Sequence, residues 1–257
     1  MNTRAFSLVE LSIVLVILGL LTGGILAGQS LIRAAELRGV ITDYQKHVAA
    51  TQAFRDKYLA YPGDFRDATR FWTRTVNAAH CATNSAAAVS TPGTCDGNGN
   101  GTIDTTPAAS QSGEEFQFWR HLGLAGMIEG SYTGLAGPTA DDDLTISGNV
   151  PAGKLSNSVW RIYNYGSPPV ASAFNISGTY GAVLHGGIND IGIGMLRAEE
   201  IWNIDTKLDD GKPAQGKLIL RPWSGCSDAA NNNDLAAEYA LTSTASGCMP
   251  LFPRFIN

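Results

Sequence analysis

Apolar and polar positions divide the chain into two unequal parts. From residue 6 to residue 32 nearly every side chain is apolar or small, and the one charge is Glu10. Residues 11–28 alone reach the roughly 18 apolar residues that a bilayer-spanning helix needs. A helix apolar on every side belongs in a large core or in a membrane, and a chain of this size favours the membrane. Beyond residue 32 the pattern narrows to a stripe. Val40 and Ile41, Tyr44, Val48, Thr51, Phe54 and Tyr58 recur at three- and four-residue spacing, with Asp43, Lys46, Arg55, Asp56 and Lys57 between them. The breaker Tyr61-Pro62-Gly63 closes the pattern. A continuous helix from Phe6 to Tyr58 would be a rod roughly 80 Å long.

The remainder alternates shorter elements. Asp64 reads as the N-cap of a helix reaching about Asn77, followed by a Ser/Thr/Ala/Gly-rich stretch to Thr106. A helix is expected over 114–129, with Phe116, Trp119, Leu122 and Met127 inward and Gly130 at its end. Residues 159–165, 179–185 and 217–221 read as strands, 196–208 as a helix, and 249–255 as a short closing strand. The plan is α+β: a long, partly transmembrane N-terminal helix packed on a small antiparallel sheet, with a large helix and loop insertion between them. In segments this gives 6–32 as the apolar half of the helix, 33–61 as its amphipathic half, and 62–257 as a globular domain.

Composition narrows the classes. With 44% hydrophobic and 16% charged residues among 257, the chain is not a disordered one. A net charge of −5 lacks the basic footprint of a nucleic-acid binder, and no nucleic-acid partner is expected. A cleaved secretory signal is an alternative reading of the N-terminus, with Ala27-Gly28-Gln29 as its small-residue site. It leaves Glu10 unexplained. An intramembrane carboxylate costs about 2.5–3.5 kcal/mol at mid-bilayer and ordinarily has a partner, which makes Glu10 a functional candidate. Basic residues are balanced, with Arg4 before the span and Arg33 and Arg38 after it, so they do not set an orientation.

The order Arg4-Ala5-Phe6-Ser7-Leu8-Val9-Glu10-Leu11, followed by a long apolar helix, resembles the leader and cleavage motif of type IV pilins and type II secretion pseudopilins. Ala5 stands where those proteins usually carry Gly. The resemblance implies residues 1–5 as a leader, cleavage between Ala5 and Phe6 by a prepilin peptidase, N-methylation of Phe6, retention of the apolar helix, and export of the 62–257 domain. It implies a precursor in the bacterial inner membrane, handled by an assembly platform. The mature protein would be a pilus or secretion-pseudopilus subunit in the periplasm or on the cell surface, its partners copies of itself or other pilins. In such a filament the Phe6 ammonium and the Glu10 of a neighbouring subunit would neutralise each other. Gly19-x-x-x-Gly23 and Gly24-x-x-x-Gly28 permit close helix approach, and Ala27 occupies a position where many pilins have Pro. Tyr61-Pro62-Gly63-Asp64, Trp119-Arg120-His121-Leu122 and residues 204–211 also resemble segments of bacterial pilin-like proteins.

Four cysteines, Cys81, Cys95, Cys226 and Cys248, form no Cys-x-x-Cys pair and suit an oxidising compartment. Three connectivities are open, the local ones closing the shorter loops. The family resemblance implies Cys226 with Cys248 as a C-terminal disulfide loop.

The strongest motif of the body is residues 96–104. Asp96, Asn98 and Asn100 at loop positions 1, 3 and 5, a glycine at 6, Thr102 at 7 and Asp104 at 9 match the opening of a calcium loop. Pro107 stands where the bidentate carboxylate belongs, and Glu114 or Glu115 is the expected substitute. A plain Gly/Asn turn beside Cys95 is the competing reading. Asp205, Asp209 and Asp210 read as a helix end and turn. Arg66, Arg70 and Arg74 share a helical face, interrupted by Asp64 and Asp67 into a solvated surface. His47, His80, His121 and His185 lack metalloprotease spacing, and no nucleophile elbow or phosphate loop occurs, so an enzyme is not expected. Two rivals to the filament subunit stand: a membrane-anchored, non-polymerising calcium- or ligand-binding surface module, and an anchored periplasmic enzyme.

Overall fold

The computed structural model describes residues 8–74, 93–104, 113–136, 144–164, 174, 180–186, 194–220, 225–253 and 255. Helix α1 runs without a break over Leu8–Tyr58. The inward spacing Leu37, Val40, Tyr44, His47, Thr51 and Phe54 keeps one side of its second half buried. The helix stops three residues before the expected breaker. Leu59, 90% exposed, adopts a left-handed φ of 56°, and its N–H closes the last turn on Arg55 O at 2.8 Å.

The stripe lands on an antiparallel sheet in the order β1-β2-β6-β4, formed by Ser158–Asn164, Tyr180–Gly186, Pro250–Phe252 and Ile219–Leu220. Trp160 of β1 pairs with Leu184 of β2, and Val183 with Leu251 of β6. Tyr44 stacks on Phe252 at 4.6 Å, and the His47 ring meets Trp119 and Trp160 edge-on at 5.0 and 5.6 Å. A second small sheet pairs β3, Leu196–Arg197, with β5, Ser246–Cys248.

Between α1 and the sheet come α2, Ala68–Phe71, and α3, Glu114–Leu124. Phe116, Phe118, Trp119 and Leu122 of α3 are all buried, and the Glu115–Arg161 ion pair, 3.0 Å long, joins α3 to β1. The last helix, α4, spans Ala198–Leu208. Arg33 of α1 forks onto both oxygens of its Glu200 at 2.6 and 3.1 Å. Burial opposes ionisation of Glu200, but Arg33 and the Arg197 N–H outweigh it and hold the carboxyl below its usual range.

The α+β class thus holds, with several boundaries moved. Asp64 caps no helix: α2 begins four residues later, and Asp64 is occupied elsewhere, as described below. Helix α3 ends at Leu124, because Gly126 takes φ 70° and the Met127 N–H turns back to Leu122 O at 3.0 Å. The first two residues of the expected 196–208 helix are extended, pairing with the disulfide-anchored C-terminal segment. The strand expected over 217–221 contracts to Ile219–Leu220, and the 249–255 strand to Pro250–Phe252.

Candidate functional site

The first feature is the uncovered half of α1. Between Leu8 and Ile32 every large apolar side chain is at least half exposed, while the stretch is long and apolar enough to cross a membrane. Arg33 marks the boundary, since its clamp to Glu200 is where the folded domain takes hold of the helix. Such a surface, roughly 37 Å of helix, is stable only in lipid or against other apolar helices. Glu10 lies on this exposed segment of α1. Ala5 and Phe6 lie outside the described residues, so the junction itself is not placed.

The second feature is the glycine-rich loop. It is pinned against the turn after α1, and only glycine allows the approach. A Cβ on Gly97 would come within 2.3 Å of the Asp64 backbone, and one on Gly63, at φ 86°, within 2.4 Å of Glu114 O. Asp64 holds the loop by accepting the N–H groups of Asn100 at 3.0 Å and Gly101 at 2.8 Å. From the other side Glu114 accepts the N–H groups of Asn98 at 2.8 Å and Asp104 at 2.9 Å. Of the two expected substitutes it is Glu114 that reaches the loop, whereas Glu115 pairs with Arg161. Burial, more than the neighbouring Asp64 and Asp104, pushes the Glu114 carboxyl up to about 7, against the pull of its two N–H donors.

The five residues of the candidate calcium set separate here. Asn98 and Asn100 both donate to Asp104 Oδ2, at 2.5 and 3.2 Å, and Thr102 Oγ1 donates to Asn100 Oδ1 at 2.6 Å. Asp96 turns away, accepting Thr69 N at 2.7 Å and Thr69 Oγ1 at 2.8 Å within α2. Four of the five side chains therefore gather, while Asp64 and Glu114 hold the backbone of the loop. Asp64 was missed because a Pro-Gly-Asp run reads as a turn and cap. Arg66, expected on a solvated helix face, donates to Asn98 O at 3.0 Å, and Arg70 pairs with Asp67.

Beneath the loop, His121 links three segments. Gly63 N donates to Nδ1 at 3.0 Å, so the proton sits on Nε2, which faces Thr94 Oγ1 at 3.0 Å and Cys95 O at 3.1 Å. Full burial lowers its pKa to about 4 despite the Cys95 carbonyl and Asp96. The ring stacks with Trp72 at 5.6 Å and Phe54 at 6.3 Å. The Tyr61–Asp64 and Trp119–Leu122 segments, far apart in sequence, thus meet through one hydrogen bond.

Cys226 and Cys248 form a disulfide, Cys95 is disulfide-bonded, and Cys81 lies outside the described residues, as does His80. The carboxylates of Asp205, Asp209 and Asp210 converge within 4.8 Å at the end of α4. Compared with known proteins, the chain matches no protein-family model, no curated protein and no solved structure.

Proposed function

We propose that this chain is a structural subunit, a pilin or pseudopilin, of a type IV pilus-like filament. It would be cut between Ala5 and Phe6, methylated at Phe6, and polymerised through the apolar half of α1. The observation that carries this reading is that half itself. It projects from a folded domain with its apolar side chains uncovered, directly after a junction sequence resembling that of prepilins. An anchor alone accounts for the apolar length and gives no role to Glu10. Helices gathered in a filament core account for both. Precursor subunits would wait in the inner membrane, and no catalytic step is assigned to the chain.

We also propose calcium as a ligand of the loop, bound through the side chains of Asn98, Asn100, Thr102 and Asp104, which gather there while Asp64 and Glu114 hold the loop backbone. That proposal is shared with the anchored-module reading and does not separate the two.

Glu10 does separate them. Removing one partner of a buried ion pair costs about 3–5 kcal/mol, because the other charge stays buried alone. Glu10→Val should leave membrane insertion and cleavage largely intact and remove the protein from sheared filaments, with Glu10→Asp milder. Wild-type levels of Glu10→Val in filaments would refute the salt-bridge mechanism. Absence of even the wild type from filaments would favour the anchored module.

A further inference from the structure

Both Asn-Gly pairs of the chain, Asn98-Gly99 and Asn100-Gly101, lie in the glycine-rich loop. In such a pair the main-chain nitrogen of the glycine can attack the side-chain Cγ of the asparagine, because no Cβ obstructs the approach. The two pairs share one loop and one chemistry, yet their surroundings differ.

The nucleophiles differ most. The Gly101 N–H is held by Asp64 Oδ2 at 2.8 Å, and attack by its nitrogen has to break that charge-assisted bond. On either side of Gly99 the amides are also held, Asn98 N–H by Glu114 and Asn100 N–H by Asp64. In the run 98–102 the Gly99 N–H alone has no hydrogen-bond partner among the described residues. Gly99 and Asn98 are both exposed, so water reaches them.

The electrophile at position 98 is also prepared. Asn98 Oδ1 accepts the Asn100 N–H at 2.9 Å, which polarises the side-chain carbonyl and folds it back toward its own backbone. Its Nδ2 is fixed by Asp104 Oδ2 at 2.5 Å. A bulkier neighbour does not fit as a shield. Gly99 takes φ 67°, and a Cβ there would come within 2.8 Å of Arg66 Nε.

We propose that Asn98 is a site of spontaneous deamidation, through which the loop acquires a carboxylate facing that of Asp104, with water as the only co-reactant. The Gly99 nitrogen bonds to Asn98 Cγ and gives up its proton to water. The Cγ–Nδ2 bond breaks, and the nitrogen leaves as ammonia. Water then opens the cyclic imide, at Cγ to leave aspartate or at the main-chain carbonyl to leave isoaspartate. The net exchange is amide and water for carboxylic acid and ammonia, with nothing oxidised or reduced.

The new carboxylate faces Asp104 Oδ2 where a donor amide stood. Two carboxylates at hydrogen-bond distance disfavour each other's ionisation. A divalent cation between them removes that conflict and gains a charged ligand at loop position 3. This consequence rests on the calcium reading of the loop; the deamidation itself does not.

Peptide mapping by mass spectrometry tests the proposal on the full chain, incubated in detergent micelles at neutral pH with chelator in heavy-oxygen water. Each deamidation takes up one solvent oxygen. Position 98 should react about tenfold faster than position 100, the factor that a hydrogen bond to a charged group imposes on a step that must break it. In guanidinium the two positions should react at similar rates. Similar rates in the folded chain, or position 100 ahead, would overturn the proposal. So would an unchanged position 98 over a time in which the denatured chain reacts. In a second arm Asn98→Asp, which carries the aspartate product, should bind calcium about tenfold more tightly than the wild type in calorimetric titration. Near-ultraviolet circular dichroism confirms that both chains are folded. Equal affinities would overturn the consequence for the cation. Absence of calcium binding by either chain would overturn it together with the calcium reading, while the mapping decides the deamidation.

Discussion

Replacing His121 with Phe removes both ring nitrogens at nearly constant shape and isolates what the imidazole contributes. The Gly63 N–H loses its acceptor and the Cys95 carbonyl loses a donor, in a place no water reaches. Each buried group left unpaired costs about 1–3 kcal/mol, so the two together cost about 2–6 kcal/mol. The stacking on Trp72 and Phe54 is retained, and little of that loss is recovered. For a domain of this size each kcal/mol lowers Tm by about 2–4 °C, which places the expected drop on the order of 5–20 °C. His47 supplies the control. It is equally aromatic in its contacts, but its Nδ1 has no partner among the described residues, so His47→Phe deletes a polar atom that was already costly to bury. Thermal unfolding of the full chain in detergent, followed by near-ultraviolet circular dichroism, should therefore show His121→Phe far below the wild type and His47→Phe close to it. Equal losses for both variants, or no loss for His121→Phe, would refute the view that His121 holds the loop through hydrogen bonds rather than through packing.

Two further predictions follow from the buried charges. His121 and His47 are held neutral with pKa values of about 4, so their contribution is complete above pH 6.5 and is lost as pH falls toward 4. Glu114 and Asp205, both raised to about 7 chiefly by burial, act in the opposite sense, contributing at low pH and losing it as pH rises toward 7. In chelator the slopes oppose, and Tm should vary little over about pH 4.5–6.5. In calcium the loop binds the metal with its carboxylates ionised and Tm should climb with pH; parallel profiles with and without calcium would contradict this. For the loop, Asp104→Asn should reduce the calcium-dependent rise in Tm. Asp96→Ala should cost about 1 kcal/mol through its lost bonds to α2 and leave that rise in place, the reverse ranking being the contrary result.

Much of the fold was legible because it rests on long periodic signals. The change from all-round apolarity to a three-four stripe at residue 33 marked where α1 leaves the domain, and the stripe residues Tyr44 and Phe54 are those that pack. Boundaries set by tertiary pairing were not legible. Nothing local distinguishes Leu196 and Arg197 from the helix they precede until Ser246–Cys248 is beside them. At the glycine-rich loop the spacing brought Asn98, Asn100, Thr102 and Asp104 together, and Glu114 rather than Glu115 arrives from α3 to hold the loop backbone. Asp96 and Asp64 were exchanged in role, because Thr69 N–H lies within reach of one and the loop N–H groups within reach of the other, and spacing along the chain carries neither fact. The acidic run at the end of α4 was readable as a helix end and turn; its convergence on a buried carboxylate required the Tyr239 loop.

Intact mass spectrometry of the protein recovered from sheared surface filaments tests the filament account most directly. The account predicts a chain that begins at N-methyl-Phe6 and retains residues 6–32. A chain beginning at Gln29, an uncut chain beginning at Met1, or absence of the protein from the filament fraction would contradict it.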